Sequence, residues 1–498
     1  MTLLSSHTTF WPVASAVIYG FNLAIAIYAS VTMILKKQDP IKTLAWTVVL
    51  LLIPYIGVLF YLYFGQNFRK RKIFSRKGLA DLNTRRQMAK IEKEGLEQYP
   101  QLFDSELEPF KKLITQNLAN SYSLVDYNTN IEFWFNGREA LDAMYSHIEK
   151  AQSHIHFQTY ILEDDRIGRE FINLFKQKAL EGVEVRLMYD GVGSIHFKKR
   201  VVKELKESGV EVLEFSPVRF YIPGRTVNYR NHRKILVVDG KIGFIGGVNI
   251  ADRYYYGNQM GMWYDTQIKI EGESVSSLQA SFLLDRYFVL NHKLRYSKKY
   301  YPRLDFTKIE EAHKESYYRA QIISSGPDSD WAGIMQCYFT AITVAREHIY
   351  IVTPYFTPNE TILNALKVAA LGGIKVKIMI PKEGDSRAAY YSTRSYFTEL
   401  LEAGVEFYLF TKGFNHSKVI SVDGKMAIIG SANMDVRSFE HNFEIMGAMY
   451  SKFCSQTIEN QFIADLQEST QIKLRTWKQR SAKEKVFESI YRLLSPLL

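Results

Sequence analysis

Two long apolar runs open the chain. The first, residues 10–35, contains no charged side chain, and the second, residues 43–65, is interrupted only by Pro54. Each is long enough to cross a hydrocarbon core of about 30 Å as a helix rising about 1.5 Å per residue. A short polar link, residues 36–42, joins them, so the pattern predicts a two-helix transmembrane hairpin over residues 1–66. A cleaved signal peptide is the weaker interpretation, because no Lys or Arg precedes the first run; a pair of buried core helices is the other alternative.

A basic stretch follows the second apolar run. Lys and Arg occupy residues 69–72, and further ones stand at 76, 77, 85 and 86. The positive-inside rule places this flank, both termini and the rest of the chain on the cytoplasmic side of a cell membrane, although the link between the spans also carries three lysines. Such a stretch would also attract anionic headgroups. Residues 67–130 are therefore predicted to be a basic juxtamembrane linker and a charged helical segment.

The remaining chain alternates between strand and helix patterns, and it does so twice. Apolar strand patterns and helical patterns follow each other in the same order in both halves. The predicted strands are residues 154–162, 183–189, 210–215, 348–353, 374–380 and 405–410. The predicted helices are residues 140–150, 168–181, 201–208, 360–371 and 392–402. The alternation indicates an internal duplication of α/β units, with one domain over residues 131–310, a second over residues 311–498, and one active site where they meet.

One short motif occurs once in each half. The first copy reads His232-Arg233-Lys234, with Asp239-Gly240-Lys241 behind it and Gly246-Gly247-Val248-Asn249 after that. The second copy reads His416-Ser417-Lys418, then Asp423-Gly424-Lys425, then Gly430-Ser431-Ala432-Asn433. A single His-x-Lys is weak evidence, but two copies with matched spacing are much stronger.

The motif suits phosphodiester chemistry. Each copy is predicted to lie on a strand that ends in an Asp-Gly turn, and period-two alternation puts His232 beside Lys234 and His416 beside Lys418. Lys and Asn can hold the non-bridging oxygens of a phosphate. One His can attack phosphorus while the other protonates the leaving alkoxide. The set makes a poor metal site, since it lacks carboxylate or thiolate ligands and Lys is normally protonated.

The motif identifies the chain as similar to the phospholipase D superfamily, whose signature is His-x-Lys-x4-Asp followed by a Gly/Ser-rich segment with Asn. The resemblance implies two duplicated α/β/α sandwich domains with one shared active site, a phosphohistidine intermediate, and no metal or other cofactor. Its residues are His232, Lys234, Asp239, His416, Lys418 and Asp423 as the catalytic set, with the aspartates in a supporting role, and Asn249 and Asn433 as phosphate ligands. Asp265 and Glu444 follow their motifs at similar distances, and either could orient the His of the opposite motif; a surface charge is the alternative.

Within that superfamily the chain resembles the bacterial cardiolipin synthases. The likeness covers nearly the whole chain and includes Lys37-Gln-Asp-Pro, Thr353-Pro-Tyr-Phe and Asn433-Met-Asp-Val-Arg-Ser-Phe. Two departures are Arg253, where that family commonly has an acidic residue, and Tyr264, where Arg is common. The resemblance implies that two phosphatidylglycerols are converted to cardiolipin and glycerol. Alternatives are a membrane-bound phospholipase D that uses water or another alcohol, a tethered binding protein with an inactive site, and a nuclease, which the membrane hairpin disfavours.

Composition and net charge restrict the classes of partner and the roles of the cysteines. The 498 residues carry a formal net charge of +11, so anionic membrane lipids are suitable partners; with the hairpin, they are favoured over nucleic acid. The cysteines at 337 and 454 match no metal or redox motif and are interpreted as buried free thiols. Residues 473–498 have basic and apolar positions at helical spacing, which predicts an amphipathic tail that lies on the membrane or packs on the catalytic domains. The oligomeric state stays open, a homodimer being one option.

Overall fold

The structure is a computed structural model that describes residues 5–35, 40–53, 55–61, 86–90, 92–94, 107–215, 229–290, 297–302, 318–493 and 495. By its internal contacts the chain divides into two units. One comprises residues 1–70 with 218–228, and the other comprises residues 71–217 with 229–498. The basic stretch predicted at residues 69–77 lies outside the described residues.

The N-terminal unit is helical. Its helices are α1 (Ser5–Leu35), α2 (Pro40–Leu52) and α3 (Ile56–Phe60). Ala26, Ala29 and Met33 of α1 pack with Leu50 of α2. Among the described residues one helix is long and apolar enough to span a membrane, through its residues Ser15–Leu35 with a mean hydropathy of 1.8. The second apolar run is divided between α2 and α3 around Pro54, as expected because proline lacks the amide that a continuing helix needs.

The second unit contains all the strands of the described chain. They are β1 (Asp126–Trp134), β2 (His154–Thr159), β3 (Glu184–Asp190), β4 (Glu211–Phe215), β5 (Arg230–Asn231), β6 (Ile235–Val238), β7 (Ile242–Gly246), β8 (Met262–Tyr264), β9 (Gln267–Gly272), β10 (Tyr318–Ser325), β11 (His348–Val352), β12 (Phe356–Thr357), β13 (Lys375–Pro381), β14 (Glu406–Phe410), β15 (Gly413–Asn415), β16 (Val419–Val422), β17 (Met426–Gly430), β18 (Met434–Asp435), β19 (Asn442–Tyr450) and β20 (Ser469–Ile472).

Helices cover the faces of these strands. They are α4 (Lys111–Ser121), α5 (Gly137–Glu149), α6 (Arg166–Leu180), α7 (Lys199–Glu207), α8 (Asp252–Tyr256), α9 (Ser274–Leu290), α10 (Gly333–Val344), α11 (Glu360–Leu371), α12 (Arg387–Arg394), α13 (Phe397–Glu402), α14 (Val436–Glu440), α15 (Lys452–Gln467), α16 (Leu474–Lys478) and α17 (Ala482–Leu493). The helix predicted over 392–402 is two helices, α12 and α13, which meet at Ser395 and Tyr396.

The sheet confirms the predicted α/β duplication. Its order is β4-β3-β2-β6-β7-β9-β1 in the first half and β14-β13-β11-β16-β17-β19-β10 in the second, with β20 added outside β14. The two series repeat the same sequence of parallel and antiparallel neighbours, and they join where β1 pairs antiparallel with β10. One sheet therefore runs through both halves, and the two motif hairpins, β6-β7 and β16-β17, lie in corresponding places within it.

The halves differ from the predicted boundaries in two ways. β1 begins at Asp126, before the expected start at residue 131. Helix α4, which falls within the segment expected to be a linker, buries Leu113, Ile114 and Leu118 in the core of the second half against α10. The chain ahead of the first repeat therefore completes the core of the second.

The C-terminal tail packs on the second half. Tyr391 of α12 lies between Phe487 and Tyr491 of α17, with ring centroids 5.4 and 5.5 Å away. Glu488 on the same side is buried and pairs with Arg480 at 2.6 Å. The opposite side of α17 leaves Val486, Ile490 and Leu493 exposed.

Candidate active site

Each motif histidine is attached to the opposite half of the chain. β5, just before His232, pairs with β19 of the second half, and the His232 amide donates to the carbonyl of Phe443 at 2.9 Å. β15, just before His416, pairs with β8 of the first half, and the His416 amide donates to the carbonyl of Tyr264 at 2.7 Å. These two short crossings bring both motifs to a common centre.

A carboxylate from the opposite half follows directly at each crossing. Glu444, next to Phe443, lies 2.9 and 3.0 Å from His232 Nδ1 through its two oxygens. Asp265, next to Tyr264, lies 2.7 Å from His416 Nδ1 through Oδ2. An ionised carboxylate can only accept, so Nδ1 of His232 carries the proton and its Nε2 is left for a substrate. Nδ1 of His416 contacts Lys418 Nζ at 2.8 Å as well as Asp265, so Nε2 is again the ring nitrogen left for a substrate. The sequence prediction named both acidic residues and the opposite-motif pairing, and the structure brings them together in that way.

The two carboxylates have different surroundings. Burial alone would raise the pKa of Glu444, but His232, Lys234 and the Ser431 hydroxyl hold that pKa below its usual value. Ser431 Oγ donates to Glu444 at 2.5 Å and Asn442 Nδ2 donates at 3.1 Å. Burial raises the pKa of Asp265 to about 7, against the opposing effect of the two motif lysines and the Thr266 amide. Glu444 is thus the more firmly ionised partner.

Burial disfavours the charged form of both imidazoles. Burial lowers the pKa of His232 to about 4, an effect that Glu444 opposes and Lys234 reinforces. Burial and the neighbouring Lys418 and Lys234 hold the pKa of His416 well below its usual range. A neutral imidazole with a free Nε2 can act as a nucleophile or as a base.

The two motif lysines are buried beside the histidines. Lys234 Nζ donates to the carbonyl of His232 at 2.7 Å, and Lys418 Nζ donates to the carbonyl of His416. The alternation predicted that each lysine shares a strand face with its histidine, but residues 232–234 and 416–418 lie outside the strands, in the short connections that lead into β6 and β16. Burial lowers the pKa of Lys234 to about 7 and that of Lys418 to about 8. A bound phosphodiester anion would stabilise both ammonium groups in their charged form.

The two motif asparagines differ in what they contact. Asn249 Oδ1 accepts from the Ile161 amide at 3.0 Å, and its Nδ2 donates to the Tyr254 hydroxyl at 2.6 Å. Asn433 Oδ1 is buried and has no hydrogen-bond partner among the described residues. The first copy therefore uses its asparagine to fix the surrounding loops, while the second keeps an unused polar atom.

The motif aspartates lie at the far end of their strands. Asp239 accepts hydrogen bonds from the backbone amides of residues 152, 153 and 154 at 2.9, 2.7 and 2.9 Å. Asp423 does the same for residues 346, 347 and 348 at 2.8, 2.8 and 2.9 Å. Both have positive φ, at 54° and 53°. Because a strand advances about 3.3 Å per residue, four strand residues separate each aspartate from its lysine, so it anchors the start of the neighbouring strand instead of meeting the substrate.

Several residues of the centre carry no motif signal. Arg233 Nη1 donates to Asp285 at 2.5 Å, its Nε donates to the Glu444 carbonyl at 3.2 Å, and its Nη2 donates to the Ser325 carbonyl at 3.4 Å. Asp285 also accepts from Asn231 at 3.0 Å. The signal that could have revealed this buried pair is the single acidic residue within the long helix α9, whose other buried positions are uncharged.

Further aromatic and polar residues lie around the site or in the neighbouring strands. His154 and His156 are buried in β2 and contact Gln279 of α9. Phe414 is buried against Trp263 and stacks on His416. Arg253 pairs with Glu163 at 2.6 Å and lies over the Trp263 ring. Both cysteines are buried free thiols, as predicted. The described residues contain no cluster of three or more His, Cys, Asp or Glu that could hold a metal ion.

The similarity to known proteins extends over most of the chain. A family model described as "Cardiolipin synthase, PLD-like domain" matches residues 144–282 and 338–466, and one described as "Phospholipase_D-nuclease N-terminal" matches residues 24–66. A cardiolipin synthase from Geobacillus sp. strain WCH70 is 41% identical and covers 96% of this chain and 94% of its own length. One from Halalkalibacterium halodurans is 39% identical, covering 97% and 94%. The crystal structure of phosphatidylserine synthase from Haemophilus influenzae has the same fold, with a TM-score of 0.58 and 15% identity over 79% of this chain and 100% of that one.

Proposed function

Because the chain belongs to the cardiolipin synthase family of phospholipase D-like proteins, and is therefore a membrane-associated phosphatidyltransferase, we propose that it joins two phosphatidylglycerol molecules into cardiolipin and releases glycerol. The observation that carries the proposal is the pair of buried histidines, each oriented through Nδ1 by a carboxylate from the other half. A phosphate between them has a nucleophile on one side and an acid on the other.

The reaction proceeds in two displacements. The bound phosphodiester anion favours the protonated form of His416, so that its imidazole carries a proton on Nε2 as well as on Nδ1. His232 Nε2 attacks the phosphorus of the first lipid, a P–N bond forms, and the bond from phosphorus to the headgroup glycerol oxygen breaks as His416 Nε2 gives that oxygen its proton. His416 then takes the proton from a glycerol hydroxyl of the second lipid. That oxygen attacks phosphorus and the P–N bond breaks, which leaves cardiolipin and restores His232. Lys234, Lys418 and Asn433 hold the non-bridging oxygens, and Asn249 keeps the loops around them in place.

The assignment of the nucleophile rests on the difference between the carboxylates. Glu444 keeps its charge because the groups around it lower its pKa, whereas Asp265 has a pKa of about 7. A fully charged carboxylate stabilises the positive charge that the attacking imidazole acquires. His232 is therefore suited to attack, and His416, beside the more easily protonated partner, is suited to exchange protons with the alcohols.

The proposed setting is the bilayer itself. Residues 1–66 form a two-span hairpin in the cell membrane with residues 67–498 on the cytoplasmic side. The long apolar α1 and the match of residues 24–66 to an N-terminal family segment support this arrangement. The proposed domains are a juxtamembrane segment that begins at residue 67 and two phospholipase D-like domains over about 131–310 and 311–498, to which α4 and the first residues of β1 also contribute. Phosphatidylglycerol and other anionic lipids are the partners.

The test uses full-length protein in phosphatidylglycerol vesicles. Lipid products and free glycerol are followed for the natural protein and for His232→Ala and His416→Ala, and the acid-labile phosphohistidine is trapped with a radiolabelled donor. Cardiolipin and glycerol in equal amounts, lost in both variants, are expected, with the label on His232. Phosphatidic acid in place of cardiolipin would mean a hydrolase, and label on His416 would reverse the assignment of the two histidines.

A further inference from the structure

The second half carries an open cleft at Tyr355, whose ring neighbours that of His416. The cleft is bordered by Tyr355, Lys382, Glu383, Tyr390 and Arg394. Tyr355 separates it from the catalytic centre. The Tyr355 ring lies 6.4 Å from the His416 ring, and its hydroxyl donates to Asp385 at 2.5 Å.

The internal duplication shows what closes this place in the first half. β3 and β13 occupy the same position in their sheets, and the residue after each strand donates its amide to the end of the next strand: Gly191 to the Phe215 carbonyl at 3.0 Å, and Lys382 to the Phe410 carbonyl at 2.9 Å. Gly191 and Lys382 are therefore equivalent positions. The first half has a glycine where the second has a lysine.

The residue before that position explains the difference in shape. In the first half Asp190 accepts the amides of Val192 and Gly193 at 2.9 and 3.0 Å and so draws the loop inward. Gly193 then packs so tightly on Tyr160 that a Cβ at residue 193 would lie 2.8 Å from the ring. In the second half Pro381 stands in the place of Asp190 and has no side-chain acceptor. The equivalent glycine, Gly384, packs instead on Tyr390 of α12, where a Cβ at residue 384 would lie 2.9 Å from the Tyr390 Cβ.

The charges of the cleft suit a phosphate. Lys382 is exposed and forms no ion pair within the part of the chain that the structure describes. Arg394 is a second cation at the border, with its guanidinium 4.8 Å from the Tyr390 ring centre and 4.6 Å from that of Trp477. Two glutamates of α17 hold it in place, Glu488 at 3.6 Å from Nε and Glu484 at 3.9 Å from Nη2. Glu383 offers a carboxylate to a hydroxyl. A cation pair with one hydroxyl acceptor matches a glycerophosphate headgroup.

From this asymmetry we infer that the cleft of Tyr355, Lys382 and Arg394 binds the phosphate of the acceptor lipid. The inference rests on the proposed function, in which His416 activates the acceptor's glycerol hydroxyl. A single glycerol unit joins that hydroxyl to the acceptor's own phosphate, so a hydroxyl held at His416 puts the phosphate at the far side of Tyr355. Water and neutral alcohols have no anionic group that could bind in the cleft. The cleft thus favours an anionic lipid over water or a neutral alcohol as the acceptor.

The experiment measures how one intermediate is divided between two acceptors. Full-length protein in phosphatidylglycerol vesicles is given a fixed concentration of ethanol, and cardiolipin and phosphatidylethanol are quantified together. Both products come from the same phosphatidyl-enzyme, so their ratio is independent of the donor step and of vesicle binding. Lys382→Gln should lower the ratio of cardiolipin to phosphatidylethanol roughly tenfold, as expected for the loss of one hydrogen bond to a charged group. Lys382→Glu should lower it further, and Lys382→Arg should keep it.

Lys375→Gln is the matched control. It removes the same charge from the other end of the same strand, β13, and should leave the ratio unchanged. An unchanged ratio in Lys382→Gln, including a proportional fall of both products, would overturn the inference while leaving the synthase proposal intact. A natural protein that makes phosphatidylethanol without cardiolipin would overturn both, and this result is distinct from the first.

Discussion

Glu444→Gln isolates the contribution of a charge supplied across the two halves. The substitution keeps the size and shape of a side chain that is fully buried and bonded to His232, Ser431 and Asn442. It removes the negative charge and replaces one acceptor oxygen with an NH2 donor. That donor favours the tautomer of His232 with its proton on Nε2, and a protonated Nε2 has no lone pair with which to attack phosphorus.

The size of the effect follows from this chemistry. Loss of the correct tautomer and of the charge that stabilises the forming imidazolium should lower kcat by about 10²- to 10⁴-fold, which corresponds to about 3–5 kcal/mol of activation free energy. The pKa of His232 is already lowered by burial, and removing Glu444 lowers it further, so the imidazole stays neutral and protonation is not the cause of the loss. Ser431 donates to Oε2 and Asn442 to Oε1 of Glu444, so one of the two loses its acceptor in the variant, and the free energy of unfolding should fall by about 1–3 kcal/mol.

The assay is steady-state turnover on phosphatidylglycerol vesicles, with thermal unfolding followed in parallel. Glu459→Gln is the control, because Glu459 holds Nε2 of His348 at 2.8 Å in the same half but outside the catalytic centre. It should leave kcat within a few-fold of the natural value, while Glu444→Asp should recover part of the activity. A Glu444→Gln protein that is folded and turns over within fivefold of the natural one would refute the reasoning.

Four further predictions concern other parts of the site and its support. Asp265→Asn should slow both steps with phosphatidylglycerol but restore the first with phosphatidyl-4-nitrophenol, whose leaving group needs no proton; an absent nitrophenol burst would contradict the acid role of His416. The pKa values of Lys234 and Lys418 are lowered to about 7 and about 8, so each lysine loses its charge as pH rises through its pKa. We therefore expect kcat/KM, measured against pH, to fall above about pH 7. The fall in kcat should begin at higher pH, because bound phosphate favours the charged lysines. A flat profile up to about pH 9 would argue against phosphate binding by these lysines. Asp239→Ala should lower the free energy of unfolding in urea by about 2–4 kcal/mol, since three backbone donors lose their acceptor, with Asp239→Asn in between. Arg233→Met should destabilise the fold by about 3–5 kcal/mol by leaving the Asp285 carboxylate buried without its cation. The double variant Arg233→Met/Asp285→Leu should recover only part of that loss, because Gln158 and Asn231 then lose their acceptor.

Much of the site could be read from local patterns. The motif strands and the exchange of Asp265 and Glu444 between halves follow from strand periodicity and from the duplication itself. Helix α11 begins and ends at the predicted residues because Asn359 caps it, with Oδ1 accepting from the Ile362 amide at 3.1 Å.

The remainder depended on contacts between distant segments. The role of Asn249 is set by the loop at Ile161, and that of Asp239 by the amides of residues 152–154. Neither partner has a sequence signature, so motif spacing did not reveal these contacts. Helix α4 falls in the predicted charged helical segment, and its place in the core of the second half is decided by α10, which lies more than two hundred residues later. Local hydropathy carries no information about such a partner.

The attachment of each histidine to the opposite half restricts how the sequences of the two halves can change. Each half holds its own lysine but borrows from the other both the backbone carbonyl and the carboxylate that orient its histidine. A substitution near Glu444 therefore impairs the first motif, and one near Asp265 impairs the second. After the duplication, the sequence of each half was thus constrained by the other half. Chimeras that exchange halves between two relatives should fail or succeed according to how well the β1–β10 seam and the two short crossings match, even when both motifs are intact.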